Sequence, residues 1–272
     1  IKFNNKIIVD GKKNNLSVIN GSSSVKKYLN LSELKKNIYT HPLLKNATPY
    51  VTSYYKKNWG FCMSENKKKK LRKGRYYVEI NSKIKKGYLN YGETKLPGNS
   101  NKIFLMSSFL CHPSMANNEL SGPLTLIGLY KKINSWKQRN LNYSFLLNPE
   151  TIGSIAYIHK NLSHLKEKQK VHSGMVLTCM GGKYKKLSYF KSRFSKSSLD
   201  RLVEYFSANN KYKIFNFNPA EGGDERQFCS SDLNLPIGRF ERNGKGHYKE
   251  YHTDQDNKKV MGVDKIVNSV EN

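Results

Sequence analysis

The 272-residue sequence predicts an α/β fold, a mixed, mainly parallel sheet flanked by helices, with a small β-rich domain in front of it. Three observations predict it. From Lys102 onward, continuous apolar runs of strand length alternate with amphipathic stretches of helical length, as expected of strands buried on both faces between helices. Before Pro97-Gly98-Asn99-Ser100 the apolar runs are shorter and broken by turn signals such as Asp10-Gly11 and Lys85-Lys86-Gly87. Aromatic residues make up 12% of the chain, enough bulky surface to build a core despite a mean hydropathy of −0.70.

The front domain is expected over residues 1–98. Ile7-Ile8-Val9 reads as a strand before the Asp10-Gly11 turn, and the apolar pattern resumes over residues 16–19. Residues 31–39 (LSELKKNIY) have helical spacing, with Ser32 as N-cap and His41-Pro42 as the stop. Residues 75–80 and 88–96 are β-rich runs on either side of Lys85-Lys86-Gly87, a hairpin signal. The second domain, residues 99–272, has expected strands over 103–110, 143–147, 175–179 and 236–240. Helices are expected over 120–136, 153–161 and 199–208.

The chain carries 48 Lys+Arg against 20 Asp+Glu, a net charge of +28. The excess is mostly lysine, spread along the chain and mixed with asparagine, which fits a coding bias rather than a designed basic face. Residues 67–73 (KKKKLRK) form the densest block and are expected to be a loop, either solvated or facing an anionic partner. Arginines and aromatics are not interleaved as base-stacking platforms require, so no specific nucleic acid is expected as partner. No apolar run approaches the roughly 20 residues of a membrane span. Cys62, Cys111, Cys179 and Cys229 are far apart with no CxxC pair, so reduced, buried thiols and a cytoplasmic location are expected.

In an open α/β sheet the ligand site lies beyond the carboxyl ends of the strands. Polar residues recur at that station. His112 follows the first strand of the second domain (FLCHPSMANNELSGP), and Glu150 follows the second (LLNPETIGS). Thr178-Cys179 end the third. Asp224-Glu225-Arg226 occupy the loop 222–227, and Tyr251-His252-Thr253 a late loop. Each has a plainer reading. His112 before Pro113 is a metal ligand on an extended turn or an incidental histidine. Asn117, Asn118 and Glu119 stand where helix caps stand. Glu150 near an apolar core needs a cation or a helix N-terminus as partner. His252 is a ligand or a surface histidine. His41, His159, His164, His172 and His247 lie in surface-like contexts.

Taken in order, CHPSMANNELSGP, NPETIGSIAYIHKNL, VLTCMGG, GGDERQFCSSDLNLPIGRF and EYHTDQDN resemble a bacterial family of aminopeptidase-like proteins tied to surface-polysaccharide biosynthesis. TPYVTSYYKKNWGFC and GYLNYGETKLPG extend the resemblance to the front of the chain. The resemblance implies a fold like that of zinc aminopeptidases and glutaminyl cyclases, with the β-rich domain inserted into the peptidase domain. It also implies that an N-terminal part of the peptidase domain precedes Ile1 in full-length members. Carried over residue by residue, it implies His112 as the first metal ligand, His252 as the last, and Glu150 at a paired-glutamate motif that here has one glutamate. Asn118 stands where a metal-bridging aspartate is expected, and Thr178-Cys179 where another aspartate ligand is expected. A neutral amide bridges two metals poorly, so one zinc on His112, Glu150 and His252 is expected. Asp224 and Glu225 become candidate bases or amine-binding groups, and Arg226 a candidate oxyanion partner.

Two functions follow from that resemblance. The first is a zinc-dependent aminopeptidase-like hydrolase acting on a peptide or an amino-sugar amide, with Glu150, Asp224, Glu225 and Arg226 as its catalytic residues. The alternative is a catalytically degenerate peptidase fold that binds a glycan precursor or a protein partner. Nucleic-acid binding through residues 67–73 ranks behind both.

Overall fold

The computed structural model describes residues 1–166, 170–207, 212–244 and 246–272, apart from the side chains of His164 and Lys166. The expected last residue of the third helix, Ala208, and the reading of the His164 side chain lie outside the described residues. The chain forms two compact units. Unit 1 comprises Ile1–Gly87, Pro113–Met115 and Lys249–Asn257; unit 2 comprises Tyr88–His112, Ala116–Tyr248 and Lys258–Asn272.

In chain order unit 1 contains β1 (Lys2–Phe3), β2 (Lys6–Ile7), β3 (Val25–Asn30), α1 (Leu31–Lys35), β4 (Ile38–Tyr39), β5 (Phe61–Cys62), α2 (Glu65–Lys69) and β6 (Arg75–Ile80). β2-β1-β6-β3 form an antiparallel sheet, and β4 pairs with β5 in parallel. Tyr76, Val78 and Ile80 alternate inward along β6 and meet Leu29, Leu34 and Phe61 in the core. Leu16, expected in an apolar run, sits instead in a 3-10 turn, Asn15–Ser17.

Two local expectations are corrected here. The cap of α1 is Asn30, not Ser32: Asn30 Oδ1 accepts the Glu33 N–H (3.0 Å) and the Glu33 carboxylate accepts the Asn30 N–H (2.9 Å). α1 stops at Lys35 because Ile38 is buried as a strand residue opposite Phe61. The start of the lysine block is helical, since Ser64 caps α2 and Lys67 to Lys69 lie in it.

Unit 2 contains β7 (Gly92–Leu96), β8 (Ile103–Phe109), α3 (Ser121–Asn134), β9 (Asn142–Asn148), α4 (Ile152–Lys166), β10 (Val171–Leu177), β11 (Leu187–Phe190), α5 (Ser198–Ser207), β12 (Tyr212–Phe215), α6 (Glu225–Phe228), β13 (Ile237–Glu241) and α7 (Val263–Glu271). The sheet order is β12-β11-β13-β10-β8-β9-β7. β13, β10, β8 and β9 are mutually parallel, β11 runs antiparallel to β13, and β7 antiparallel to β9. This is the mixed, mainly parallel sheet expected. Met106, Phe145, Leu177, Tyr189 and Phe240 pack on one face, and Leu105, Leu146, Val176, Ile237 and Phe228 on the other.

The expected hairpin between residues 75–80 and 88–96 does not form. Gly92–Leu96 pairs with β9, so the units divide at Gly87/Tyr88 rather than after residue 98. Leu96 is buried in the core of unit 2. Glu93 accepts hydrogen bonds from Ser144 Oγ (2.7 Å) and Tyr157 OH (2.9 Å). These contacts outweigh the local turn signal. β11, β12 and α7 were not foreseen, and Asp224-Glu225-Arg226, expected in a loop, open the short helix α6.

The connection through α3 takes the chain from β8 to β9, on one side. The connection through α4 returns it across β8 to β10, on the other. Neighbouring β8 and β10 therefore feed connections that leave in opposite directions, which opens a crevice at their carboxyl ends. α3 starts tight against this crevice. A Cβ on Gly122 would lie 2.3 Å from Ser108 Oγ and 2.6 Å from the Leu177 carbonyl, so the Ser-Gly step is a packing requirement.

Candidate metal centre

His112 lies just past β8, at this switch point. Its Nδ1 is 3.2 Å from Glu119 Oε2 and 3.3 Å from Cys111 Sγ. Its Nε2 is 3.6 Å from Glu150 Oε2. The side chains of His112 and Glu119 are 8% and 5% exposed, and that of Glu150 is 25% exposed. Glu119 also accepts the Cys111 N–H, and Cys111 Sγ accepts the Glu150 N–H at 3.3 Å.

Three expectations change here. Cys111 is exposed, unlike the other three cysteines, because β8 ends at Phe109 and the thiol lies beyond the core. Glu119 turns back onto His112 instead of capping a helix. α3 begins at Ser121 with no side-chain cap. Asn117 and Asn118 are buried and serve the loop after β10: Asn117 Oδ1 accepts the Gly181 N–H (3.0 Å), and Asn118 Nδ2 donates to Cys179 Sγ (3.8 Å).

Burial opposes a proton on His112. The hydrogen bonds to Cys111 and Glu119, with the electrostatic pull of Cys111 and Glu150, outweigh it and push the imidazole up to about 10. Burial pushes Glu150 up to about 7; His112 and Arg226 pull it down while Asp224 and Glu225 push it further up. The cluster is short of positive charge.

Glu150 is held by a turn in which Thr151 has φ 61° and the Gly153 N–H bonds the Pro149 carbonyl (2.9 Å). Asp224 braces that turn. Its fully buried carboxylate accepts the Thr151 N–H (2.7 Å), Ser154 Oγ (2.9 Å) and Asn148 Nδ2 (2.9 Å). Burial raises its pKa, and these three bonds oppose the rise. Both oxygens are engaged, which suits a positioning role better than proton transfer.

Glu225 is also buried. It accepts the Gly223 N–H (3.0 Å) and pairs with Arg239 Nη1 (3.3 Å). Arg239 lies over the Phe190 ring at 4.0 Å and reaches toward Glu241 at 3.8 Å. Gly222 has φ +124°, and a Cβ there would sit 2.0 Å from Glu225 Oε1. A Cβ on Gly223 would lie 3.4 Å from Glu150 Oε1 and 3.5 Å from Glu225 Oε2, so the two carboxylates flank that bare backbone. Arg226 donates from Nε to the Gly223 carbonyl (3.4 Å).

The structure therefore brings His112, Glu150, Asp224, Glu225 and Arg226 into one region of unit 2. His252 belongs to unit 1. Its carbonyl accepts the Tyr50 N–H (2.7 Å), its ring stacks on Tyr251 (3.9 Å), and its φ is 56°. Sequence reasoning missed three members of the region. Cys111 was read as core, Glu119 was given no role of its own beside the candidate asparagine caps, and Arg239 was hidden inside the apolar run PIGRF.

The donors fit zinc. With bonds of about 2.0–2.3 Å, tetrahedral zinc holds its ligand atoms roughly 3.3–3.8 Å apart. The 3.2 Å and 3.3 Å separations around His112 Nδ1 are near this range, and so is the 3.6 Å separation at Nε2; an ion takes one ring nitrogen or the other. The donor atoms of Cys111, His112 and Glu119 all lie within 4.8 Å of one another.

The family model described as Domain of unknown function (DUF4910) matches residues 8–272. The chain belongs to this family. It is 38% identical, over 264 residues, to a Clostridium acetobutylicum protein named as a candidate for polysaccharide biosynthesis with an aminopeptidase-like domain. That match covers 96% of this chain and 59% of the relative. The crystal structure of a candidate peptidase from the same organism superposes with a TM-score of 0.91 at 36% identity, over 98% of this chain and 62% of that one. The chain thus spans about three fifths of the length of either relative. The zinc aminopeptidase BSAP from Bacillus subtilis has a TM-score of 0.60 at 12% identity, covering 86% of this chain and 61% of its own. At that identity the likeness is one of fold, so this DUF4910 chain has an aminopeptidase-like fold.

Proposed function

We propose that this chain carries the metal centre of a zinc-dependent amide hydrolase of the aminopeptidase type. One observation carries the reading: a buried imidazole at the switch point whose two ring nitrogens both face zinc donors. Within unit 2, the resemblance assigns His112 and Glu150 to that zinc. Asn118 and Cys179 contact each other as neutral groups, which favours one ion over two.

Bound zinc supplies an acidified water and a polarised carbonyl. The chain's own groups do the rest. Glu150 and Glu225, on either side of Gly223, offer two carboxylates to a water proton or a substrate amine. Asp224 fixes the Glu150 turn, and Arg226, anchored at Gly223, supplies positive charge for the developing oxyanion. The substrate class is a peptide N-terminus or an amino-sugar amide. The name of the Clostridium acetobutylicum relative supports a place in surface-polysaccharide biosynthesis. The proposed setting is the cytoplasm, where four cysteines with no CxxC pair would stay reduced. No described helix is long and apolar enough to cross a membrane.

The test is metal content by mass spectrometry on the purified chain, beside a panel of peptide and N-acyl amino-sugar amides. About one zinc per chain, lost in His112→Ala, together with amide turnover, is the expected result. A folded chain that retains no zinc and cleaves no amide would instead be a glycan- or protein-binding module.

A further inference from the structure

We propose that the ion is held by Cys111 Sγ, His112 Nδ1 and Glu119, three donors on one loop, and that Glu150 is thereby left as the general base. This rests on the reading of the site as a metal centre and names the ligands within it.

The donor separations come first. Nδ1 stands 3.3 Å from the thiol and 3.2 Å from the Glu119 carboxylate, close to the edge of a zinc tetrahedron. Thiolate, imidazole and carboxylate are all zinc donors. The arrangement around them resembles an outer shell. The Glu150 N–H donates to Sγ, as backbone amides do to metal-bound thiolates, and the Cys111 N–H fixes Glu119. Glu150 Oε2 faces the opposite ring nitrogen at 3.6 Å. A carboxylate on the far nitrogen of a ligating histidine sets its tautomer and orientation. With Nε2 protonated toward Glu150, Nδ1 presents its lone pair to the metal. Cys111 is exposed, so ion and water have a path in, and three protein donors leave a fourth position for that water.

This assignment also resolves a conflict of roles. NPETIGS carries one glutamate where ligand and base are both needed. If Cys111 and Glu119 take the ligand roles, Glu150 is released from the metal: its Oε2 faces Nε2, and its Oε1, toward Gly223, is left to accept a proton.

Cobalt substitution tests this in the full 272-residue chain. Cobalt(II) replaces zinc after chelation, and absorption spectra are recorded for the parent, Cys111→Ser, Glu119→Gln, Glu150→Gln and His252→Ala. The expected parent spectrum has tetrahedral visible bands and a near-ultraviolet thiolate-to-cobalt charge-transfer band. Cys111→Ser abolishes that band and weakens zinc by more than the roughly 10-fold to 100-fold lost with an outer-shell partner. Glu119→Gln weakens the metal as well. Glu150→Gln and His252→Ala keep the band. A parent that binds cobalt without the band overturns this ligand set while the metal centre stands. So does a band that survives Cys111→Ser, which would come from another thiol. A folded parent that binds neither metal overturns the ligand set and the metal centre together. The parent spectrum is decisive even if a variant misfolds.

Discussion

Replacing Asp224 tests how the Glu150 turn is held. Alanine there removes the acceptor of three hydrogen bonds, from Thr151 N, Ser154 Oγ and Asn148 Nδ2. The donors do not lose equally. Ser154 Oγ already reaches the Thr151 carbonyl at 2.9 Å, and Asn148 Nδ2 reaches the Pro149 carbonyl at 2.9 Å. The Thr151 N–H has no such second acceptor among its described bonds. An orphaned buried donor costs about 1–3 kcal/mol, and weakening the other two adds to it. Removing a buried charge gives part of this back, since burial already raises the Asp224 pKa. The net for Asp224→Ala is a loss of about 3 kcal/mol. Asp224→Asn behaves differently. Its amide oxygen can stay on Thr151 and Ser154, and only the bond from Asn148 must rearrange. That costs about 1 kcal/mol, offset by the lost charge. Urea unfolding separates the two. With m near 2 kcal/mol/M, the midpoint falls by about 1.5 M for alanine and by less than about 0.5 M for asparagine. Two compact units need not unfold together, so the signal should come from Trp136 of unit 2, with Trp59 of unit 1 replaced by phenylalanine. An alanine variant within about 0.5 kcal/mol of the parent, or an asparagine variant equally damaged, would refute the bracing argument.

Glu241→Gln should show a pH-dependent gain. Burial pushes this carboxyl up from 4.5 to about 7, against the pull of Arg239. A folded pKa above the unfolded one contributes stability that is complete below about 4.5 and lost as pH rises through about 7. The glutamine variant should therefore gain on the parent by up to about 3 kcal/mol between pH 4.5 and 8 in urea titrations; a gap that does not change with pH counts against it. Arg242→Met should loosen α7. Arg242 is 2% exposed and donates to Ser269 Oγ (2.9 Å), Asn268 Oδ1 (2.9 Å) and the carbonyls of Tyr184 (3.2 Å) and Lys185 (2.9 Å). Stranding these groups should cost about 3–5 kcal/mol and speed amide exchange in α7 more than in β8. Unchanged protection of α7 would show that its apolar face alone docks it.

The sheet was legible where a strand is continuously apolar. Residues 103–110, 143–147 and 236–240 each fall on a strand of unit 2. β10 was read only from residue 175, because His172, Ser173 and Gly174 interrupt its apolar pattern. β7 was assigned the wrong partner because a turn signal is local, whereas pairing is decided by what the strand buries. β11 and β12 have four residues each, too short for a periodic signal. The same division holds in the site. His112 and Glu150 were legible because each stands directly after a buried strand. Cys111 and Glu119 were not, because their meeting depends on the chain turning back between residues 112 and 119, and a polar residue before a helix reads locally as a cap. Arg239 reads as an interruption in an apolar strand until Glu225, Glu241 and Phe190 close around it.

Charge accounting shows where a cation fits. The chain carries +28, yet Glu119, Asp224, Glu225 and Glu241 are buried in unit 2 and Glu150 is half-buried beside them. Desolvated carboxylates persist only when each finds a cation or enough donors. Arg239 serves Glu225 and Glu241. Three donors serve Asp224. Glu119 and Glu150 remain, and with the Cys111 thiol they share one imidazole. Among the described residues of this region, that is where acidic groups most outnumber fixed positive charge. A divalent ion there would take the place of a proton on His112 and complete the charge balance. The same ion beside Arg239 would meet a guanidinium already in place. The basic surface and the acidic site are thus separate properties of one chain, and the site chemistry follows from the second.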